Sequence, residues 1–227
     1  MPYVRVARTI SRIHSCGRNL TMLPSPLENG YRRFRKERYA TEVSRYRELA
    51  DGQAPETMVI ACADSRVDPA TIFAAAPGEL FVVRNVAALV LPYETGEIHY
   101  SISSALEFAV TVLKVCNIVV MGHSQCGGVA ASLAAGEGVM PGQFIGPWVE
   151  LLAPARDKVT ADGAVDTAEA RQRALEWQGI LLSVANLHSF PFVTDAMTDG
   201  GLSLFGAWFS IGDGALYAYS ETDGIFR

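Results

Sequence analysis

Ile118-Val119-Val120-Met121-Gly122-His123-Ser124-Gln125-Cys126-Gly127-Gly128 sets a wholly apolar run before a polar turn that closes on two glycines. A short apolar run of this kind reads as a strand buried on both faces, and the glycines open the helix that follows. Upstream, Met58-Val59-Ile60-Ala61-Cys62-Ala63-Asp64-Ser65-Arg66 repeats the arrangement. Asp68-Pro69 then starts a helix, with aspartate as its cap and proline in its first turn. Strands that alternate with helices need crossover connections, so they pair in parallel. The fold class is therefore α/β, a central and mostly parallel sheet flanked by helices.

Working outward, Leu80-Phe81-Val82-Val83 is a further strand after Pro77-Gly78, and a helix runs from about Ser101 to Leu113. Ala134 to Pro147 is glycine-rich and reads as a loop. Asp166 with Glu169 forms a capping-box-like start for a helix to about Leu187, which Pro191 stops. Short strands near Ala207–Ile211 and Leu216–Tyr219, joined by Gly212-Asp213-Gly214, make a hairpin. Before the sheet, Leu27, Tyr31, Phe34, Val43, Tyr46 and Leu49 fall near helical spacing and predict one long helical arm. Residues 1–22 carry Arg5, Arg8, Arg12 and Arg18 with no acid before Glu28, faintly like a transit peptide. They are read as a disordered or non-native extension, and residues 23–227 as one α/β domain with its arm.

The chain has 227 residues, 49% of them hydrophobic, enough for a sizeable core. A net charge of −5 argues against a nucleic-acid partner. No apolar run reaches the roughly 18 residues of a membrane span, and no continuous apolar export signal is evident, so a cytoplasmic location is expected. Cys16, Cys62, Cys116 and Cys126 are too scattered for a disulfide framework and read as thiols or metal ligands. Cys116 is expected to be packing beside a core strand, and Cys16 to lie in the tail.

Open parallel sheets bind ligands at the carboxyl ends of their strands. Two polar clusters, 62–66 and 122–128, sit at such ends and face one crevice if their strands are neighbours. Cys62, His123 and Cys126 offer two thiolates and an imidazole, a three-ligand zinc set that leaves a fourth position open. Taken singly, each is as readily a small buried thiol or a satisfied turn histidine; the joint pattern, flanked by Asp64 and Arg66, carries the metal reading.

C-x-D-x-R after a strand, followed some sixty residues on by G-H-x-x-C-G-G, resembles the signature pair of the β-class carbonic anhydrases. The stretch from Pro77 to Ala87 resembles a third motif of that family, and the likeness runs from about Leu27 to Tyr219. The resemblance implies zinc on Cys62, His123 and Cys126 and reversible hydration of carbon dioxide by zinc-bound hydroxide. Asp64, braced by Arg66, would orient that hydroxide, or stand as a fourth ligand in a closed state. It also implies that Gln53, Phe81, Val86 and Gly127 meet substrate, and that the chain is at least a dimer. Bacterial members with an inhibitory bicarbonate pocket carry tryptophan, arginine and tyrosine where this chain has Val59, Arg84 and Phe108, so that pocket is not expected.

Three other readings stay open. Gly122-His123-Ser124-Gln125-Cys126 passes near the G-x-S-x-G elbow of serine hydrolases, with His188 as the available later histidine. The metal set could instead close on Asp64 as a structural module, or serve carbon disulfide as substrate.

Overall fold

The computed structural model of the chain describes residues 23–93, 101–139, 141–161 and 167–227, which divide into two compact units after Asp51. Residues 1–22, with Cys16, lie outside the described residues, as does Asp166.

The first unit holds α1 (Ser25–Arg33), continued by a π-helical turn over Phe34–Tyr39, and α2 (Val43–Asp51). The single long helix expected here is thus broken. The apolar ladder steps by five residues from Phe34 to Tyr39, the spacing of a π turn and not of an α-helix. At the break the Thr41 hydroxyl faces the carbonyls of Arg38 and Glu37, at 2.8 and 3.2 Å. The Phe34 and Tyr39 rings close on Tyr46 with centroids at 5.7 and 5.1 Å.

The second unit contains β1 (Thr57–Cys62), α3 (Pro69–Ile72), β2 (Leu80–Asn85) and α4 (Ser101–Glu107), which runs into a π turn over Phe108–Leu113. It continues through β3 (Asn117–His123), α5 (Gly127–Gly136), α6 (Ile145–Val149) and α7 (Ala153–Ala161). The last elements are α8 (Ala168–Leu187), α9 (Pro191–Thr198), β4 (Ser203–Ser210), β5 (Ala215–Ser220) and β6 (Ile225–Phe226). The sheet order is β2-β1-β3-β4-β5-β6. The first four strands pair in parallel, and β4-β5 and β5-β6 are antiparallel, with the expected hairpin between β4 and β5.

The runs 58–61 of β1 and 118–121 of β3 are wholly apolar because both faces are covered. Met58, Ile60, Ile118 and Val120 face α4, α8 and α9 through Leu106, Ile180, Leu187 and Val193. Val59, Ala61 and Met121 point to the other face, where Ile72 of α3 packs. Each of the larger side chains among these, fully buried, contributes about 1.5–3 kcal/mol.

Several local expectations change. The glycine-rich stretch holds the end of α5 and the start of α6. Pro191 does more than stop α8: it sits in the first turn of α9, where its missing N–H costs nothing. Thr167 caps α8, its hydroxyl accepting from the Ala170 N–H at 3.1 Å. Cys116 is exposed and not packed, since the neighbouring Val115 takes the buried place.

Candidate metal centre

β1 and β3 lie side by side with Ala61 opposite Met121, so Cys62 and His123 leave the sheet at the same end. Gln125, in a left-handed conformation at φ 55°, turns the chain back. Cys126 then becomes the N-cap of α5. The two sulfurs stand 3.9 Å apart. One ligand atom from each of Cys62, His123 and Cys126 lies within 4.8 Å of the others, and all three residues are buried.

His123 Nδ1 is 2.9 Å from the Ser124 carbonyl. A carbonyl only accepts, so Nδ1 carries the proton and Nε2 presents its lone pair. That Nε2 is buried with no hydrogen-bond partner among the described residues. Leaving a buried acceptor unmet costs about 1–3 kcal/mol. A cation between Nε2 and the two sulfurs removes that cost, so the three residues fit a metal ion.

The thiols polarise one another. Cys62 is pushed far below the ordinary thiol range, first because Cys126 donates to it; burial opposes this, while His123 and the N–H groups of Asp64 and Ala87 add to it. Cys126 is pushed up by the same contact with Cys62 and by burial, against the N–H groups of Val129 and Gly128 at the start of α5. Burial pulls the His123 imidazole down, but Cys62, the Ser124 carbonyl and Asp64 outweigh it, and its net shift is upward. The pair therefore holds one thiolate and one thiol, and a positive ion between them would let both sulfurs ionise.

Asp64 sits beside this group. Arg66 grips it in a fork, Nε to Oδ1 at 2.9 Å and Nη2 to Oδ2 at 2.7 Å, and the Arg66 N–H donates to Oδ1 at 2.9 Å. That grip, side chain first, holds the Asp64 carboxyl well below the usual carboxylate range. Oδ2 is 3.9 Å from His123 Nε2. Arg66 also donates to the Gln125 carbonyl at 3.1 Å, tying the two ligand-bearing loops together.

Arg84 fixes the first loop from β2, donating to the carbonyls of Cys62, Asp64 and Val67 at 2.9, 2.6 and 3.2 Å. Beyond β2 the chain takes left-handed conformations at Ala87 and Ala88, φ 67° and 54°. The Asn85 side chain brackets this strain by bonding both the N–H and the carbonyl of Leu89, at 2.8 and 3.0 Å.

Val86 and Gly127 stand at the metal end. Val86 presses on the start of α5: a Cβ at Gly128 would meet its Cγ1 at 2.6 Å. Phe81 does not reach that end. It pairs with Met58, four residues before the Asn85–Cys62 pair, or about 13 Å along the strand. Gln53 is exposed in the loop that enters β1 from that same far end. The Ser124 hydroxyl accepts from the Ile211 N–H at 2.9 Å.

Glu176 went unread in the sequence. It is a buried carboxylate of α8 that accepts from the Cys126 N–H at 3.1 Å and from the Trp208 indole at 3.0 Å. Its signal was present, since Glu176 stands four residues before Ile180 and eleven before Leu187 on the buried stripe of α8.

Comparison with known proteins agrees. The carbonic anhydrase family model matches residues 57–216. β-Carbonic anhydrase 3 of Arabidopsis thaliana is 36% identical over 183 residues, covering 80% of this chain and 70% of that protein. The solved β-carbonic anhydrase CcaA superposes with a TM-score of 0.84 at 28% identity, covering 89% of this chain and 90% of that one. A tetrameric β-carbonic anhydrase of Sordaria macrospora gives 0.78 at 28% identity, over 89% and 97%. With two cysteines and a histidine gathered at the ends of adjacent parallel strands, the chain belongs to the β-class carbonic anhydrases.

Proposed function

We propose that the centre binds zinc and that Asp64, fixed by Arg66, orients the attacking oxygen in the hydration of carbon dioxide. The observation that carries this is the sulfur–nitrogen–sulfur group with an unmet Nε2. Tetrahedral zinc with bonds of ~2.3 Å to sulfur places two sulfurs about 3.8 Å apart, against 3.9 Å here. Thiolates and imidazole suit zinc and not magnesium or calcium.

When bound, the ion supplies Lewis acidity, which brings the pKa of water toward ~7. The chain's own residues do the rest. Ionised Asp64 only accepts, so it receives a hydrogen bond from the attacking oxygen and leaves that oxygen's lone pairs for carbon dioxide. Arg66 keeps that carboxylate charged and aimed. Val86 offers an apolar wall for an apolar substrate, and Gly127 leaves the opening of α5 free of side chain. A closed structural site with Asp64 as fourth ligand would have to draw the carboxylate out of the fork with Arg66, which holds both its oxygens.

A second copy of the chain is part of the proposal. If Gln53 and Phe81 meet substrate, as their resemblance implies, their position makes the site they serve that of another copy. The tetrameric relative fits at least a dimer.

The test is hydration of carbon dioxide by metal-quantified protein, with Asp64→Ala beside it. The variant should keep its zinc and lose most turnover. Full activity in that variant would remove the role given to Asp64; zinc without activity in the wild type would favour the structural site, and activity without zinc a hydrolase. Carbon disulfide in the same assay decides between the two substrates.

A further inference from the structure

Glu176 is only 4% exposed, yet hydration of carbon dioxide as described makes no use of it. Three groups converge on its carboxylate. The Cys126 N–H and the Gln172 amide reach Oε1 at 3.1 and 3.2 Å, and the Trp208 indole N–H reaches Oε2 at 3.0 Å. All three are donors, so the place is built for a group that only accepts. Glu176 also lines one small enclosed space with Cys62, His123 and Cys126.

The backbone has been cleared to let α8 come this close. A Cβ at Gly122, the residue before His123, would stand 2.7 Å from Ile180 Cδ1, and one at Gly179 would stand 2.9 Å from Leu152 Cδ2. A carboxylate present only to satisfy Trp208 would need one oxygen. The other is aimed at the main-chain N–H of Cys126.

We infer that Glu176 is a positioning residue of the metal centre, acting through the Cys126 peptide. The inference rests on the zinc reading above. Fixing that N–H fixes the Cα of Cys126 and hence the arc its sulfur can sweep. It also braces the left-handed turn at Gln125, which joins the two ligands of the second loop. Groups that orient metal ligands in this way typically change metal affinity or activity by ~10–100-fold when replaced.

Glu176→Gln keeps the shape but turns an NH2 toward Trp208 or toward the Cys126 and Gln172 donors, donor against donor. Two readouts besides turnover report on the centre: zinc loss to a competing chelator, and the thiolate-to-cobalt charge-transfer band of cobalt-substituted protein. Glu176→Gln should lose zinc at least ~10-fold more readily and displace the band. Glu176→Asp, which keeps the charge but is shorter by one methylene, should move both in the same direction by less. Trp208→Phe removes the other contact of the carboxylate; it should lower the melting temperature and leave the band in place.

Folded Glu176→Gln with wild-type chelator competition and band overturns the inference, as does a Trp208→Phe band displaced as far as that of Glu176→Gln. Should Glu176→Gln fail to fold, an unchanged band in Glu176→Asp does the same. Wild-type protein that takes up no zinc and hydrates no carbon dioxide removes the zinc reading instead, whatever the variants show.

Discussion

Replacing Gly122 by alanine tests how tightly α8 is seated on β3. The added Cβ would lie 2.7 Å from Ile180 Cδ1 and 2.8 Å from Cγ1, about 1 Å inside the ordinary carbon–carbon separation. Neither side yields easily. β3 is held between β1 and β4, and Ile180 is 3% exposed in the main core. Gly122→Ala alone should therefore cost about 1–3 kcal/mol as overpacking, and Ile180→Ala alone about 2–5 kcal/mol as a cavity. In the double variant the new methyl group enters the space that isoleucine vacated. The cost of Gly122→Ala should then vanish or reverse, a coupling of about 1–3 kcal/mol. Urea titrations of the four proteins, at one protein concentration and saturating zinc, measure it, because bound metal and association both add to apparent stability. Additivity within about 0.5 kcal/mol would refute the argument. Since His123 is the next residue, Gly122→Ala should also lower turnover and Ile180→Ala should restore part of it.

His123→Ala removes the buried nitrogen grouped with the two sulfurs; zinc content measured after dialysis should fall well below one per chain, and retained stoichiometric zinc would exclude His123 as ligand. Arg156 donates to both oxygens of Glu150, at 3.1 and 2.8 Å, and holds its carboxyl below the ordinary range. A lowered folded pKa adds stability that is present above the unfolded value of about 4.3 and is lost as pH falls through the folded one. Glu150 is largely exposed, so Glu150→Gln should cost less than about 1 kcal/mol at neutral pH. That deficit should shrink in acid, and a deficit that grows there contradicts the assignment. Val59 is buried in the sheet and Arg84 is committed to loop carbonyls. Steady-state kinetics in bicarbonate should accordingly be hyperbolic at neutral and mildly alkaline pH, and steep cooperativity would count against that reading.

The apolar runs 58–61 and 118–121 were legible because a strand covered on both faces has no polar position to hide, and the donors that follow each run sit where such sheets expose their ends. The π turn at Phe34 is also written in the sequence, as the five-residue step from Phe34 to Tyr39, but Tyr39 is easily passed over in a ladder that resumes at Val43. Pro191 carries two meanings, a stop for α8 and a start for α9, and only the chain's path selects between them. Glu176 was hidden for a different reason. A glutamate in a helix normally faces water, and its worth here depends on Trp208 and Cys126, which are 32 and 50 residues away. Gln53 and Phe81 show the same limit: sequence likeness assigns them a task, and a single chain does not bring them to it.

The neighbouring register of β1 and β3 has a consequence for assembly of the chain. Successive side chains on a strand point to opposite faces, so a slip of β3 by one residue against β1 would carry the imidazole of His123 to the wrong side. Parallel apolar strands such as these have little else to tell one alignment from the next, valine and isoleucine being nearly interchangeable. An ion captured from both strands at once rewards a single alignment and gives nothing to its neighbours. A metal ion held by this group would thus also proofread the fold, and refolding with zinc withheld should yield a larger share of misaligned, aggregation-prone chains.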